Sequence, residues 1–232
     1  MAGLTEGLLA ARYPRLYHVA AQGSWKSIER QGLLSTSRLL DVFEVVEPQR
    51  TELLAKQRKT SVVIEHPVHG RATLRDQKVL SEKKLASCLS GCDVSTWLRY
   101  LNDRVFFWLN EERLVGFMAA TEYAGKTQTV LHLDTRALLR EHRPNVMLTH
   151  MNTGNTRPFA HKRGLDTFRT IEGYPYEERR RLNDYSAIVE FTVAGGVPNV
   201  RDYVRRVEHA TFEGEERRVL EVILERQLPI GI

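Results

Sequence analysis

The chain has 232 residues, 42% hydrophobic and 27% charged, with no repeat or low-complexity tract, which fits a single domain over 1-232 and excludes a fibrous or disordered chain. No apolar run reaches the length of a membrane span, and Met1 to Ala11, with Glu6 early, lacks the basic-then-apolar order of a secretory signal, so a cytoplasmic protein with no membrane partner is expected. The formal net charge of +5 favours an anionic partner such as nucleic acid, the plain alternative being a soluble basic protein.

Taken in chain order, residues 16 to 20 (Leu-Tyr-His-Val-Ala) predict a short strand. A helix follows with Ser24 as its N-cap, Trp25 and Ile28 on its inner face and Gly32 as its stop. Residues 47 to 58 are charged and helical in character, and 62 to 65 and 72 to 77 read as strands around the turn His66-Pro67-Val68-His69-Gly70. Ser81 suits the cap of a helix carrying Cys88, and a second helix over 94 to 102 offers Trp97, Leu98 and Leu101 to a core. Cys88 and Cys92 are the only cysteines; two ligands do not make a zinc site, so free thiols in a reducing compartment and no metal are expected. Val105 to Leu109 reads as a buried strand, and Asn110 caps a helix with Glu111 and Glu112 in its first turn and Leu114, Phe117, Met118 and Thr121 on one face. Strands are expected at 128 to 133, 145 to 149, 186 to 194 and 207 to 212, and a closing helix over 215 to 226. Short strands and helices mixed without a βαβ rhythm give the α+β class.

Two features stand apart from this pattern. Glu190 interrupts the apolar run Ile188, Val189, Phe191, Val193, where a buried carboxylate needs a cationic or hydrogen-bonding partner; an edge strand facing water is the bland alternative. The segment 150 to 185 has no clear periodicity and is crowded with Arg157, His161, Lys162, Arg163, Arg169 and Arg179 to Arg181, with Tyr174 and Tyr176 interleaved. These are phosphate-pairing and base-stacking types, so Arg157, Lys162, Arg163, Arg169, Tyr174 and Arg179 are candidate nucleic-acid contacts; a solvated loop with an Arg-rich helix turn is the alternative.

The opening Leu16-Tyr17-His18-Val19-Ala20, then Trp25 to Ile28 and Gly32-Leu33-Leu34-Ser35, resembles the start of DarT-type DNA ADP-ribosyltransferases, and more distantly that of RNA 2'-phosphotransferases. Arg75 in Leu74-Arg75-Asp76-Gln77, the aromatic strand Val105-Phe106-Phe107-Trp108, and Val189-Glu190-Phe191-Thr192-Val193 with Val197-Pro198 keep that family's order. The anchors run from residue 16 to about 200, whereas the target-facing region of DarT enzymes does not align with 150 to 185, and Gly23-Ser24-Trp25 stands where an Asn follows the opening His. Ile188 stands where arginine-modifying relatives carry Glu or Gln, which disfavours a protein arginine target.

The resemblance implies an ADP-ribosyltransferase-like core, a split mixed or antiparallel sheet with flanking helices, and NAD as co-substrate. It implies transfer of ADP-ribose to a nucleic acid base or terminal group, and an antitoxin or ADP-ribosylhydrolase as counterpart. Glu190, Arg75 and His18 then form the catalytic set: Glu190 stabilises the oxocarbenium-like ribose and takes a proton from the nucleophile, His18 bonds a ribose hydroxyl, and Arg75 grips an oxyanion. Tyr17, Ser35, Thr36, Arg104, Phe107 and Trp108 join His18 and Arg75 as cofactor contacts, although alternation lets only one of Phe107 and Trp108 face the site. For His18 alone a satisfied core or surface histidine is the commoner fate, and Arg75 has Asp76 as a ready ion partner. The competing functions are a 2'-phosphotransferase, a NAD glycohydrolase, and a non-catalytic NAD- or nucleic-acid-binding module.

Overall fold

In the computed structural model, which describes residues 3–226, helix α1 (Glu6–Arg12) leads into strand β1 (Arg15–Ala21), helix α2 (Trp25–Gln31) and the short β2 (Leu33–Leu34). Gly32 ends α2 with φ 91°, a left-handed value that suits glycine. Ser24 stands at the head of α2 but its side chain makes no capping bond, whereas Ser35 caps α3 (Thr36–Val42) by accepting from the Arg38 amide. Next come α4 (Gln49–Ala55), the hairpin β3 (Val62–His66) and β4 (Gly70–Leu74), α5 (Glu82–Cys88) and α6 (Val94–Asn102). The chain continues through β5 (Arg104–Phe107), α7 (Glu111–Met118), β6 (Gln128–Asp134), α8 (Thr135–His142) and β7 (Val146–Thr149). After α9 (Tyr176–Leu182) come β8 (Glu190–Ala194), β9 (Gly196–Val197), β10 (Val204–Glu213) and β11 (Glu216–Glu225).

The strands form an α+β arrangement of antiparallel sheets. One sheet has the order β1-β6-β10-β11 and another β5-β8-β7, with two-stranded pairings β2-β9 and β3-β4. The two larger sheets are stitched by one bridge, in which Tyr17 and Trp108 exchange both backbone bonds at 2.9 Å. Leu16, Leu131, Leu133 and Val207 from the first sheet meet Val105, Phe107, Leu148, Phe191 and Val193 from the second in the main core. Burying side chains of this size contributes about 1.5–3 kcal/mol each, the main force holding the sheets together.

On its opposite face the four-stranded sheet buries Glu208 between a histidine and two arginines. His132 Nε2 lies 3.2 Å from Oε1, Arg206 Nε donates to Oε2 at 2.6 Å, and Arg217 pairs with Oε1. Burial alone would raise this carboxyl, but its bonds to His132 and Arg206 and the charge of Arg217 hold it down to about 2.

The expected closing helix over 215 to 226 is a strand. Gly214 (φ 64°) turns the chain, and Glu216–Glu225 pairs with β10, so Val219, Val222 and Ile223 follow their β-branched preference. The strand expected over 186 to 194 begins only at Glu190, the helix carrying Phe117 stops at Met118 short of Thr121, and β4 stops at Leu74, leaving Arg75 in the loop beyond. The segment 150 to 185 contains α9 and a 3-10 turn at Leu165–Thr167. Helices α1, α3 and α8 were not expected; each is a seven- or eight-residue piece with too few turns to print a period.

Candidate functional site

A cleft of about 1010 Å³ is lined by β1, α2, β4, β5, α7 and the Glu190 end of β8. His18, Arg75, Arg104, Trp108, Thr36 and Glu190 all line it.

His18 lies on the cleft face of β1. Its Nδ1 sits 2.9 Å from the carbonyl oxygen of Phe106. A carbonyl only accepts, so Nδ1 carries the proton and Nε2 keeps a lone pair. Burial, opposed by the Phe106 bond and assisted by the nearby Arg75 charge, lowers the imidazole to about 4, so the ring is neutral at physiological pH.

Glu190 opens β8 opposite Thr149 in the β7 ladder and is 4% exposed. The Thr153 amide donates to Oε1 at 3.1 Å and to Oε2 at 3.2 Å, and the Thr153 hydroxyl reaches Oε2 at 2.8 Å. Thr149 Oγ1 lies 3.0 Å from Oε2. Burial dominates these bonds and raises the carboxyl to about 7, with Arg163 and the two threonines pulling the other way. A carboxyl held at that point exchanges its proton near neutrality, which suits acid-base work.

Arg75 follows β4 and reaches across to β1, where Nη1 donates to the Val19 carbonyl at 2.9 Å. Its guanidinium lies 5.1 Å from the ring centres of both Phe117 and Tyr123. Burial lowers its affinity for the proton, against the attraction of Tyr123 and Asp76. Arg58 Nε donates to the Arg75 carbonyl at 3.0 Å, so a buried arginine orders the loop that carries the Arg75 fork. Arg104 is also buried; Nη2 donates to Tyr100 Oη at 2.8 Å, while Nε and Nη1 meet no acceptor. The guanidinium also lies 4.4 Å from the Tyr100 ring centre and 5.3 Å from that of Phe168, but two nitrogens without an acceptor are costly to bury and suit an anion.

Three of the expected cofactor contacts face away. Tyr17 is buried behind β1, edge-on to His132 at 5.0 Å. Phe107 packs in the core against Phe191, leaving Trp108 as the aromatic of the pair that reaches the cleft, as strand alternation requires. Ser35 is buried and spends its hydroxyl on the α3 cap.

None of the six residues expected as nucleic-acid contacts lines the cleft, and two of them are turned inward. Arg163 is 3% exposed and donates inward to backbone carbonyls, so it meets no phosphate. Tyr174 is buried with its hydroxyl on the Ala187 carbonyl, which removes it as a stacking ring. Lys162 and Arg169 are exposed, Arg157 is exposed beside Glu122, and Arg179 is half-buried on α9.

Thr153, buried behind the cleft wall, and Tyr185, which lines the cleft, carried no sequence signal. Thr153 is one of many threonines, and its role follows only from where its loop crosses β8. Tyr185, 47% exposed at the cleft, is braced by Arg113, whose guanidinium lies 4.6 Å from its ring centre while Nη2 donates to the Tyr185 carbonyl at 3.1 Å. Among the described residues no helix is long and apolar enough to cross a membrane.

The fold and cleft thus define an α+β protein with a large pocket walled by a neutral histidine, a near-neutral carboxyl and several arginines. The chain belongs to DUF7002, a family of unknown function, whose model matches residues 14–204. The matched span contains every cleft residue described above. No curated protein matches the chain.

Proposed function

We propose that the protein is a NAD-dependent ADP-ribosyltransferase of DarT-like type, with an ADP-ribosyltransferase-like core, that moves ADP-ribose to a nucleic acid and releases nicotinamide. The observation that carries this reading is the convergence of His18, Arg75 and Glu190, far apart in sequence, on one cleft. At about 1010 Å³ the cleft is at the top of the range for ligand pockets, roughly 300–1,000 Å³, and has room for a dinucleotide.

The chain's groups fit the steps. Arg75 presents a fork for a diphosphate oxygen, and Trp108 offers a flat wall for the nicotinamide ring. Nε2 of the neutral His18 accepts from a ribose hydroxyl. As the glycosidic bond breaks, positive charge grows on the ribose, and the ionised Glu190, shielded from water, stabilises it. The same carboxylate takes the proton of the attacking group. Tyr185, held by Arg113, gives the acceptor a stacking surface at the cleft, a better-placed one than the segment 157 to 181.

The two Arg104 nitrogens that lack an acceptor support a second reading, an RNA 2'-phosphotransferase, because a further phosphate would answer them. Incubation of labelled NAD with single-stranded DNA, RNA and 2'-phosphorylated RNA separates the two. Label on a polymer, lost in Glu190→Gln, supports transfer; ADP-ribose cyclic phosphate from the third substrate replaces it with the second reading. Nicotinamide release with no labelled polymer would mean a glycohydrolase.

A further inference from the structure

We infer that Arg163 is a positioning residue for Glu190, acting through the peptide unit that joins Asn152 to Thr153. The inference rests on Glu190 as the reacting carboxyl, but its geometry stands apart from the identity of the substrate.

The Thr153 amide is the donor shared by both Glu190 oxygens, at 3.1 and 3.2 Å. The carbonyl of that same peptide unit belongs to Asn152, and Arg163 Nη1 lies 3.4 Å from it. The same nitrogen donates to the Thr153 carbonyl at 2.9 Å, and Nε donates to the His161 carbonyl at 3.0 Å. One guanidinium therefore grips the loop on both sides of the amide that meets Glu190. A cation at a peptide oxygen polarises the amide and strengthens its N–H as a donor, and hydrogen bonds in series reinforce one another in a low-dielectric interior.

The energetics point the same way. Arg163 is 3% exposed and makes no ion pair among the described residues. A buried guanidinium answered only by carbonyl oxygens is expensive to keep. Glu190, the carboxyl beyond the peptide, is the anion that offsets it, and Arg163 is the charged group that acts on Glu190. The brace is itself anchored, because the Arg163 amide donates to Cys88 and its carbonyl accepts from Ser90, each at 2.9 Å. Gly164 permits this close approach, since a Cβ there would stand 2.4 Å from the Ser90 oxygen. Arg163 thus fixes the height of Glu190 in the cleft wall and biases it toward the ionised form without touching substrate.

The test uses the full chain with Arg163→Gln and Arg163→Lys. Three quantities are read: the Glu190 carboxyl titration by carbon NMR, hydrogen exchange of the Thr153 amide, and kcat and KM in ADP-ribosyl transfer. In Arg163→Gln the Glu190 titration moves to higher pH, Thr153 exchanges roughly tenfold faster, and kcat falls with KM for NAD nearly unchanged. Arg163→Lys, which keeps the charge but not the fork, falls between. A folded Arg163→Gln with wild-type titration and exchange overturns the inference. If that variant does not fold, a wild-type titration and exchange in Arg163→Lys overturns it equally. NMR responses as expected in a protein that transfers no ADP-ribose support the brace and sink the transferase reading alone.

Discussion

His18 and Phe106, on adjacent strands of different sheets, share a 2.9 Å bond from the imidazole Nδ1 to the backbone oxygen, and it fixes which nitrogen faces the cleft. The bond sets the tautomer, and burial sets the charge. With the folded value near 4 against 6.5 for a free imidazole, the unfolded chain binds more protons in between. This group's contribution to stability is therefore complete above pH 6.5 and is lost as pH falls toward 4. In His18→Gln that acid-side loss disappears, which urea midpoints measured from pH 7 to pH 4 will register.

Glu190 has the opposite sign. Its folded value near 7 lies above the ordinary 4.5, so its stability contribution is present below 4.5 and lost as pH rises through 7. Glu190→Gln removes that decline. In the wild type the transfer rate should climb through about pH 7 as the carboxylate forms. The substitution should lower kcat roughly 10²–10³-fold, a loss typical of one well-placed electrostatic group. An unchanged rate of nicotinamide release would end its assignment.

Arg75→Lys keeps the charge but loses the planar fork and the stacking between Phe117 and Tyr123. A lysine's three donors sit on one nitrogen, so it cannot hold Val19 and meet a diphosphate with the spread, planar geometry of the guanidinium. KM for NAD is expected to rise roughly tenfold, about 1.4 kcal/mol, with little change in melting temperature. Initial-rate kinetics beside a thermal melt will separate binding from folding.

Gly32→Ala tests the frame of the cleft. A Cβ at Gly32 would stand 2.5 Å from the Pro198 backbone, at a φ of +91° that alanine rarely adopts. Both the clash and the backbone strain act where β2 meets β9. Destabilisation of roughly 3 kcal/mol or more is expected, with a lowered urea midpoint as the readout.

Much of the cleft was legible because its residues break local rules. Glu190 in an apolar strand and His18 at the centre of another are misfits that pattern exposes, and strand alternation separated Trp108 from Phe107. What pattern could not reach is the far partner of each group. Arg163 and Tyr174 look like surface residues in a composition of arginine and tyrosine, yet both point inward, because the loop they belong to folds over the end of β8. The closing helix expected over 215 to 226 failed for a similar reason: the Gly214 turn brings this segment against β10, a distant ladder partner that decides its conformation.

Strand β1 runs in unbroken register against β6, from Arg15 opposite Asp134 to Ala21 opposite Gln128, with His18 facing the cleft and Tyr17 facing His132. A frame-preserving insertion of one residue ahead of Tyr17 that shifted this ladder would exchange the two sides. A phenol would then look into the cleft, and an imidazole would be delivered to the Glu208 cluster, which already holds one. The seven matched pairs thus act as the alignment key of the molecule, deciding which of two neighbouring rings meets the ligand.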